Sequence, residues 1–471
     1  MTFTQKNTMI KPGKIIKSFP LQRVFLLLVF SFSLFQSCDR ISFFPKRSSI
    51  EGVALDGITF EKLTGATISL RPAPGGSGTT SDNATVDEDG RFQFEKVALG
   101  VYSISITMSG YEKMDAGNID LKEGSAFVAM LPIESGLPVK TGGVSGIVRD
   151  NNGNPVPYAN IAISAQDASL TNGYFTSAST NQDGHFFIPA IPLDKTHEFR
   201  IRCAADGFET KRISNQPILN NEMLVLQLEL ARETLPRVLF YEGFENNQHS
   251  WEKTGFWRVQ QNQAIYNKAY PTFVKLAPND ESNGKIPDAF KGVSMAWYGQ
   301  PSTGNYMGEQ SPNDFGPTGG TSTQPNRGEM VTPLINLSTA QSASVIFWSW
   351  FEIESMNPDG YGFDHMKVYL MVEGSNTPVI VGKLNPYVTP VLDDRKALPY
   401  SSGGFYQAPV WRYEEFDLSD FTDSSVRLKF VFDTRDEKHN GFRGWFIDEI
   451  KVVEREGQNY QVAAPLPLHQ R

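Results

Sequence analysis

Asp89-Gly90-Arg91-Phe92-Gln93-Phe94 returns later in the chain as Asp183-Gly184-His185-Phe186-Phe187-Ile188. Upstream, Gly52-Val53 returns as Gly146-Ile147, both pairs 94 residues apart. Downstream, Gly110-Tyr111 returns as Gly207-Phe208. A repeat of this length is a pair of small domains, longer than the roughly 20–50 residues of a solenoid unit. Asp-Gly supplies the backbone angles of a tight hairpin. Gly100-Val101-Tyr102-Ser103-Ile104-Ser105-Ile106 then alternates apolar and polar residues, as a half-buried strand does. In the second copy, Asn151-Asn152-Gly153-Asn154-Pro155 is a turn between strand 145–149 and Ala159-Asn160-Ile161-Ala162-Ile163. Two small β-sandwich modules are expected, 50–134 and 142–232.

Composition agrees with an all-β chain. It has 40 Gly, 29 Pro and 12% aromatic residues, which suits many short strands joined by turns. No long helical periodicity follows the first 37 residues. Formal charge is −9, and five basic residues lie before Val24, so the rest is more acidic still. An acidic surface argues against nucleic acid and against adsorption to anionic lipid.

Lys6, Lys11, Lys14, Lys17 and Arg23 precede an apolar run over 24–35, and no acid appears before Asp39. This is the pattern of a secretory leader. The run is shorter than the ~20 apolar residues a spanning helix needs. It ends Gln36-Ser37-Cys38 and resembles a relaxed bacterial lipobox, in which Cys38 would carry lipid and hold the protein at a membrane. The other reading is an ordinary signal peptide with an incidental cysteine. Residues 1–37 read as lipoprotein signal peptide and 38–49 as tether. The expected location is the outer membrane or cell surface. The remaining cysteine, Cys203, lies in strand-like Phe199-Arg200-Ile201-Arg202-Cys203 and is expected to be buried and inert.

The repeated order of Gly-[Val/Ile], turn, A-x-I-x-[IL], D-G-x-F-x-[FI] and G-[YF] resembles the carboxypeptidase regulatory-like domain. That resemblance implies a seven-stranded, transthyretin-like Greek-key sandwich without peptidase activity. The second copy departs after Ile191-Pro192, where 193–197 replaces the usual G-x-Y step. The modules are expected to act as spacers.

All seven tryptophans lie between Trp251 and Trp445. Over 236–456 the landmarks are Glu242-Gly243-Phe244-Glu245, Lys291-Gly292-Val293-Ser294-Met295-Ala296-Trp297, Val345-Ile346-Phe347-Trp348-Ser349-Trp350 and Gly444-Trp445-Phe446-Ile447-Asp448-Glu449-Ile450. Their order resembles the MAM-like jelly roll of bacterial surface proteins, with its cleaved-adhesin and choice-of-anchor relatives. Residues 457–471 read as a tail. In 426–432, Val426, Leu428, Phe430 and Phe432 share a face opposite Arg427 and Lys429. In 344–354 both faces are apolar, so that strand is either central and covered or a concave binding face.

Asp448 has the parity of Phe446, Ile450 and Val452 and is expected to face inward with them. A buried carboxylate must be paired or ligate a metal. The jelly-roll resemblance implies a calcium ion bridging Glu245 and Asp448, with backbone carbonyls and Glu242 as further ligands. The alternative is that backbone donors satisfy Asp448 and that Glu245 is solvated. The tryptophans form either core or a sugar-stacking platform. The long polar loop 299–328 and the insert 384–409 are candidate binding segments. No His-Glu-x-x-His or Gly-x-Ser-x-Gly motif occurs, and the six histidines are scattered. The reading is a non-enzymatic, lipid-anchored envelope protein for adhesion or for binding a glycan or protein. The alternatives are a cell-surface hydrolase or its accessory subunit, and a purely structural envelope protein.

Overall fold

The computed structural model describes residues 47–137, 140–165, 175–193, 198–233, 236–246, 250–269, 280–309, 311, 320–354, 364–384, 400–405, 407–454 and 461–462. Cys38, Asp39, His197, His249 and His469 lie outside them, as do 312–319 and 385–399 of the two candidate loops.

The alternating segments of the first module form seven strands: β1 (Arg47–Ala54), β2 (Thr67–Pro72), β3 (Asp82–Thr85), β4 (Arg91–Ala98), β5 (Gly100–Thr107), β6 (Met114–Leu121) and β7 (Ser125–Met130). They make a sandwich of sheets β4-β1-β7 and β3-β2-β5-β6. The second module repeats the plan with β8 (Thr141–Asp150), β9 (Asn160–Ala165), β10 (Phe175–Ser179), β11 (His185–Pro192), β12 (Glu198–Ala204), β13 (Lys211–Pro217) and β14 (Met223–Leu230). Its sheets are β11-β8-β14 and β10-β9-β12-β13. Although 193–197 departs from the repeat, β12 pairs with β9 and β13 just as β5 pairs with β2 and β6.

The repeated sequence landmarks are packing devices. Asp87 Oδ1 accepts the amides of Asp89 and Arg91, and Asn181 Oδ1 accepts those of Asp183 and His185, so one turn is built twice. Gly52 lies between Phe92 of β4 and Val128 of β7. A Cβ there would sit 2.1 Å from the Val128 carbonyl oxygen and 2.4 Å from the Phe92 ring. Gly146 holds the matching place beside Phe186 and Leu226, and its Cβ would meet the Leu226 oxygen at 1.9 Å. The glycine is therefore the floor on which the motif's phenylalanine and the last strand close. Gly146→Ala forces β8 from β14 and is expected to cost about 1–3 kcal/mol, the usual penalty of overpacking. A urea midpoint that does not move would refute this.

The modules are docked rather than strung apart. β8 is buried along both faces. Val144 and Val148 fill its own module's core, while Ile147 joins the first module's core with Met223. Ser145 Oγ accepts the Ala129 amide, and the Arg149 guanidinium donates to the Ser125 carbonyl at 2.7 Å. The stretch read as tether also ends early, because β1 begins at Arg47.

The third domain is a larger jelly-roll sandwich. One sheet holds β15 (Val238–Glu242), β17 (Trp257–Gln261), β18 (Ser294–Tyr298), β21 (Ala343–Ile353), β24 (Tyr400–Ser401), β25 (Gly404–Phe405), β26 (Arg412–Asp417) and β28 (Gly444–Glu454). The other holds β16 (Glu252–Lys253), β19 (Arg327–Val331), β20 (Ile335–Asn336), β22 (His365–Val372), β23 (Val379–Lys383) and β27 (Ser425–Asp433). Val426, Leu428, Phe430 and Phe432 of β27 point into the main core as their alternation requires. The tail is not wholly free: β29 (Gln461–Val462) pairs in parallel with Ile213 and Ser214 of β13. Among the described residues no helix is long and apolar enough to cross a membrane.

β21 explains its double apolar face. Val345, Phe347, Phe351 and Ile353 enter the main core. Ile346 packs on the other side with Tyr413, Val453 and Ala204 of module two, and Trp350 packs there with Trp297, Met295 and Phe446. The strand is central and covered. Module two is the cover at one end, fastened by Thr210 and Arg212 to Glu415, by Asn160 to Glu414, and by the Tyr400 hydroxyl to the Ser177 carbonyl.

Candidate functional site

Asp448 is fully buried, but not in the direction its parity suggested. Trp445 and Ile447 face the main core, and Phe446 the opposite side. Glu449 then adopts φ 51° and the β21–β28 register slips between Ile346 and Trp348. This β-bulge resets the alternation, so Ile450 and Val452 return to the core while Asp448 stays with Phe446 on the outer face. The 291–294 segment covers it there.

As expected of a jelly roll, the first and last strands lie side by side, β15 against β28. Glu245 and Asp448 consequently grip the same segment. Asp448 Oδ2 accepts the Lys291 amide at 3.0 Å, and its Oδ1 accepts the Glu449 amide at 2.7 Å. Glu245 Oε1 accepts the amides of Val293 and Ser294 at 2.8 and 2.9 Å. Glu242 does not join them: its oxygens accept the Phe244 amide at 2.6 Å and the Trp251 indole at 2.9 Å. Glu449 does, held by the Tyr241 hydroxyl at 2.5 Å and by Lys291 at 3.4 Å. Burial raises the Asp448 carboxyl to about 7 against the pull of its two amide donors, with Glu449 and Glu245 adding to the rise. Among the described residues, no three His, Cys, Asp or Glu side chains form a metal-holding group. Glu245 and Asp448 keep further oxygen lone pairs, and Glu245 borders an open cleft of about 420 Å³ with Arg258 and Gln260.

Five tryptophans, Trp251, Trp257, Trp297, Trp350 and Trp445, are core. Trp348 and Trp411 are half-buried about Phe290, which stacks on Trp348 at 3.8 Å and meets Trp411 edge-on. Cys203 is buried, and burial pushes its thiol up to about 12. The described part of 299–328 is pinned: Gln300 closes on Asn305, and the Ser322 hydroxyl donates to the Met307 carbonyl. The described end of 384–409 docks on module two.

Two polar clusters escaped the sequence reading because their members are far apart in the chain. Arg443, 1% exposed at its side chain, donates to both oxygens of Glu352 at 2.8 and 2.9 Å and to Asp280 at 2.6 Å. Asp364 accepts the Tyr306 hydroxyl and the Glu354 amide in a buried group. Burial, and repulsion between the two acids and from Asp436, hold Glu354 and Asp364 above the usual carboxylate range. The one signal available was the isolated acid at each end of an apolar strand. Two further hollows lie between the domains. A cavity of about 850 Å³ takes in both Asp-Gly turns and Gly403, and a cleft of about 330 Å³ lies between module two and Trp348.

Residues 49–131 and 143–231 each match the carboxypeptidase regulatory-like domain. The chain carries two of these domains in tandem. No curated protein matches the chain significantly. Among solved structures, two cleaved adhesin domains of Lys-gingipain from Porphyromonas gingivalis are 14% and 13% identical, each covering 46% of this chain and 98% of its own, with TM-scores of 0.23 and 0.24. The minor pilin GBS52 of Streptococcus agalactiae is 10% identical over 41% of this chain and 98% of its own, with a TM-score of 0.17. The tandem regulatory-like domains account for the sheets on which the jelly roll rests.

Proposed function

We propose that this is an exported, lipid-anchored protein of the bacterial envelope, without enzymatic activity, that adheres to or binds a glycan or protein through its C-terminal jelly roll. The observation that carries this reading is the docking of the second regulatory-like module on the outer face of β21, with the first module docked in turn on the second. Cys38→Ala is expected to move the protein from the membrane to the soluble fraction with its folded domains intact, and to abolish attachment of whole cells to its ligand. A variant that still sediments with membranes would remove the lipid anchor.

We propose further that calcium is shared by Glu245 and Asp448 on the lone pairs their amide donors leave open. A buried acid, Asp448, and an exposed one, Glu245, beside Glu449 are the hard oxygen donors this ion prefers. At free calcium 100 times its dissociation constant, the gain is about 2.7 kcal/mol. Chelator is expected to lower the melting temperature by several degrees, and Asp448→Ala to erase the difference. pH gives an independent readout. The raised Asp448 pKa means the folded chain binds its proton more tightly than the unfolded one. That stability is full below about pH 4 and is lost as pH rises through about 7. Without calcium, melting at pH 5 should exceed melting at pH 8, less so in Asp448→Asn. Identical curves in calcium and chelator would exclude the ion.

A further inference from the structure

We infer that the cleft between the second module and the jelly roll is a saccharide site, a placement that rests on the adhesive reading above and names its ligand class. The cleft, about 330 Å³, is at the small end of the roughly 300–1,000 Å³ typical of ligand sites. Three aromatic side chains line it: Tyr158 and Phe208 from the module, and Trp348 from β21. Asp150, Asp206 and Arg232 line it as well.

These groups are matched to a sugar. The C–H face of a pyranose is apolar and packs on aromatic rings, while its hydroxyls both donate and accept. Trp348 is fixed in orientation by Phe290 stacked on it and by Tyr413 edge-on at 6.0 Å. Arg232 lies over the Phe208 ring at 4.3 Å and reaches Asp150 at 3.8 Å, which sets its guanidinium at the rim. Asp150 is itself held by the Asn152 and Asn154 amides, so one wall is rigid. Asp206 is exposed, and neither its carboxylate, the Tyr158 hydroxyl nor the Trp348 indole N–H has a hydrogen-bond partner among the described residues. Two donors and an acceptor with spare capacity thus line the same cleft as the aromatic side chains. Two acids and one arginine leave a net charge of −1, which favours a neutral saccharide over an acidic one. At the β13 edge, β29 already pairs with Ile213 and Ser214, which shortens the backbone open to a peptide entering by strand addition.

The test is tryptophan fluorescence titration of the full chain with a panel of neutral hexasaccharides: malto-, cello-, xylo-, manno- and chito-oligosaccharide. One member is expected to bind saturably. Tyr158→Phe and Asp206→Asn, which keep shape, should each weaken it by about fivefold, one hydrogen bond's worth. Trp348→Ala should weaken it more than tenfold, on the order of a stacked aromatic contact. Lys122→Ala, an exposed side chain of the first module outside the cleft lining, should bind like the parent. Unchanged affinity in Tyr158→Phe and Asp206→Asn would overturn the site while leaving the adhesive reading. Attachment of cells to a protein-coated surface with no binding of any hexasaccharide would overturn the saccharide and leave adhesion by protein contact. Loss of both would remove the site and the adhesive reading together.

Discussion

Arg443→Ala is expected to destabilise the jelly roll by about 3–5 kcal/mol, the cost of leaving a buried ion pair half-made. Glu352 and Asp280 are 2% and 6% exposed, and both lose their charged partner. Arg443 also gives hydrogen bonds to Ser282 and the Lys285 carbonyl, which tie the segment before β18 to the sheet, and its guanidinium lies 4.9 Å over Trp350. Burial alone would lower its pKa, and Glu352 and Asp280 more than reverse that. For a domain of this size each kcal/mol is roughly 2–4 °C, so the transition should fall by about 10 °C. Arg443→Lys keeps the charge but not the two-pronged fork on Glu352 and should fall between. Arg443→Met combined with Glu352→Gln and Asp280→Asn should recover part of the loss, because neither buried acid is then left charged without its partner. A calorimetric scan of Arg443→Ala that overlays the parent would show the cluster contributes nothing.

The second large effect is expected at the interface between module two and the jelly roll. Glu415 is fully buried and accepts the Thr210 hydroxyl at 2.5 Å and Arg212 at 3.4 Å. Glu415→Ala strands the buried Arg212 and should again cost about 3–5 kcal/mol. Here the loss falls on docking, not on either core. The expected signature is two separate calorimetric transitions in place of one and a larger radius of gyration in solution scattering. A single transition with an unchanged radius would mean the docking does not depend on this pair. Glu415→Gln keeps an oxygen for Thr210 and should be milder.

Sequence and structure agree where the information is local. The Asp-Gly turns are legible because Asp87 and Asn181 bond amides two and four residues away. The faces of β27 are legible because nothing interrupts its alternation. β28 fails the same reasoning at one residue: the bulge at Glu449 is invisible to a period of two, so parity places Asp448 with Ile450 and Val452, whereas it lies opposite them. The side-by-side placement of Glu245 and Asp448 followed from resemblance, whereas the amides that hold them belong to a segment no pattern linked to either. The Arg443 cluster joins residues 91 and 163 positions apart and had no signature. Docking was half legible. The two apolar faces of β21 required a cover, but that module two supplies it depends on surface shape.

The parallel pairing of the first and last strands in each regulatory-like module has a mechanical consequence. β1 runs alongside β7, and β8 alongside β14, so the chain enters and leaves each module at opposite ends of one ladder. Tension applied at the two ends of a module would pull these strands lengthwise past each other. Every hydrogen bond of the ladder would then carry load at once instead of opening in turn like a zip. The glycines at 52 and 146 sit at mid-ladder, where the partner carbonyls leave no room for a Cβ, so a side chain there would loosen such a clamp at its centre.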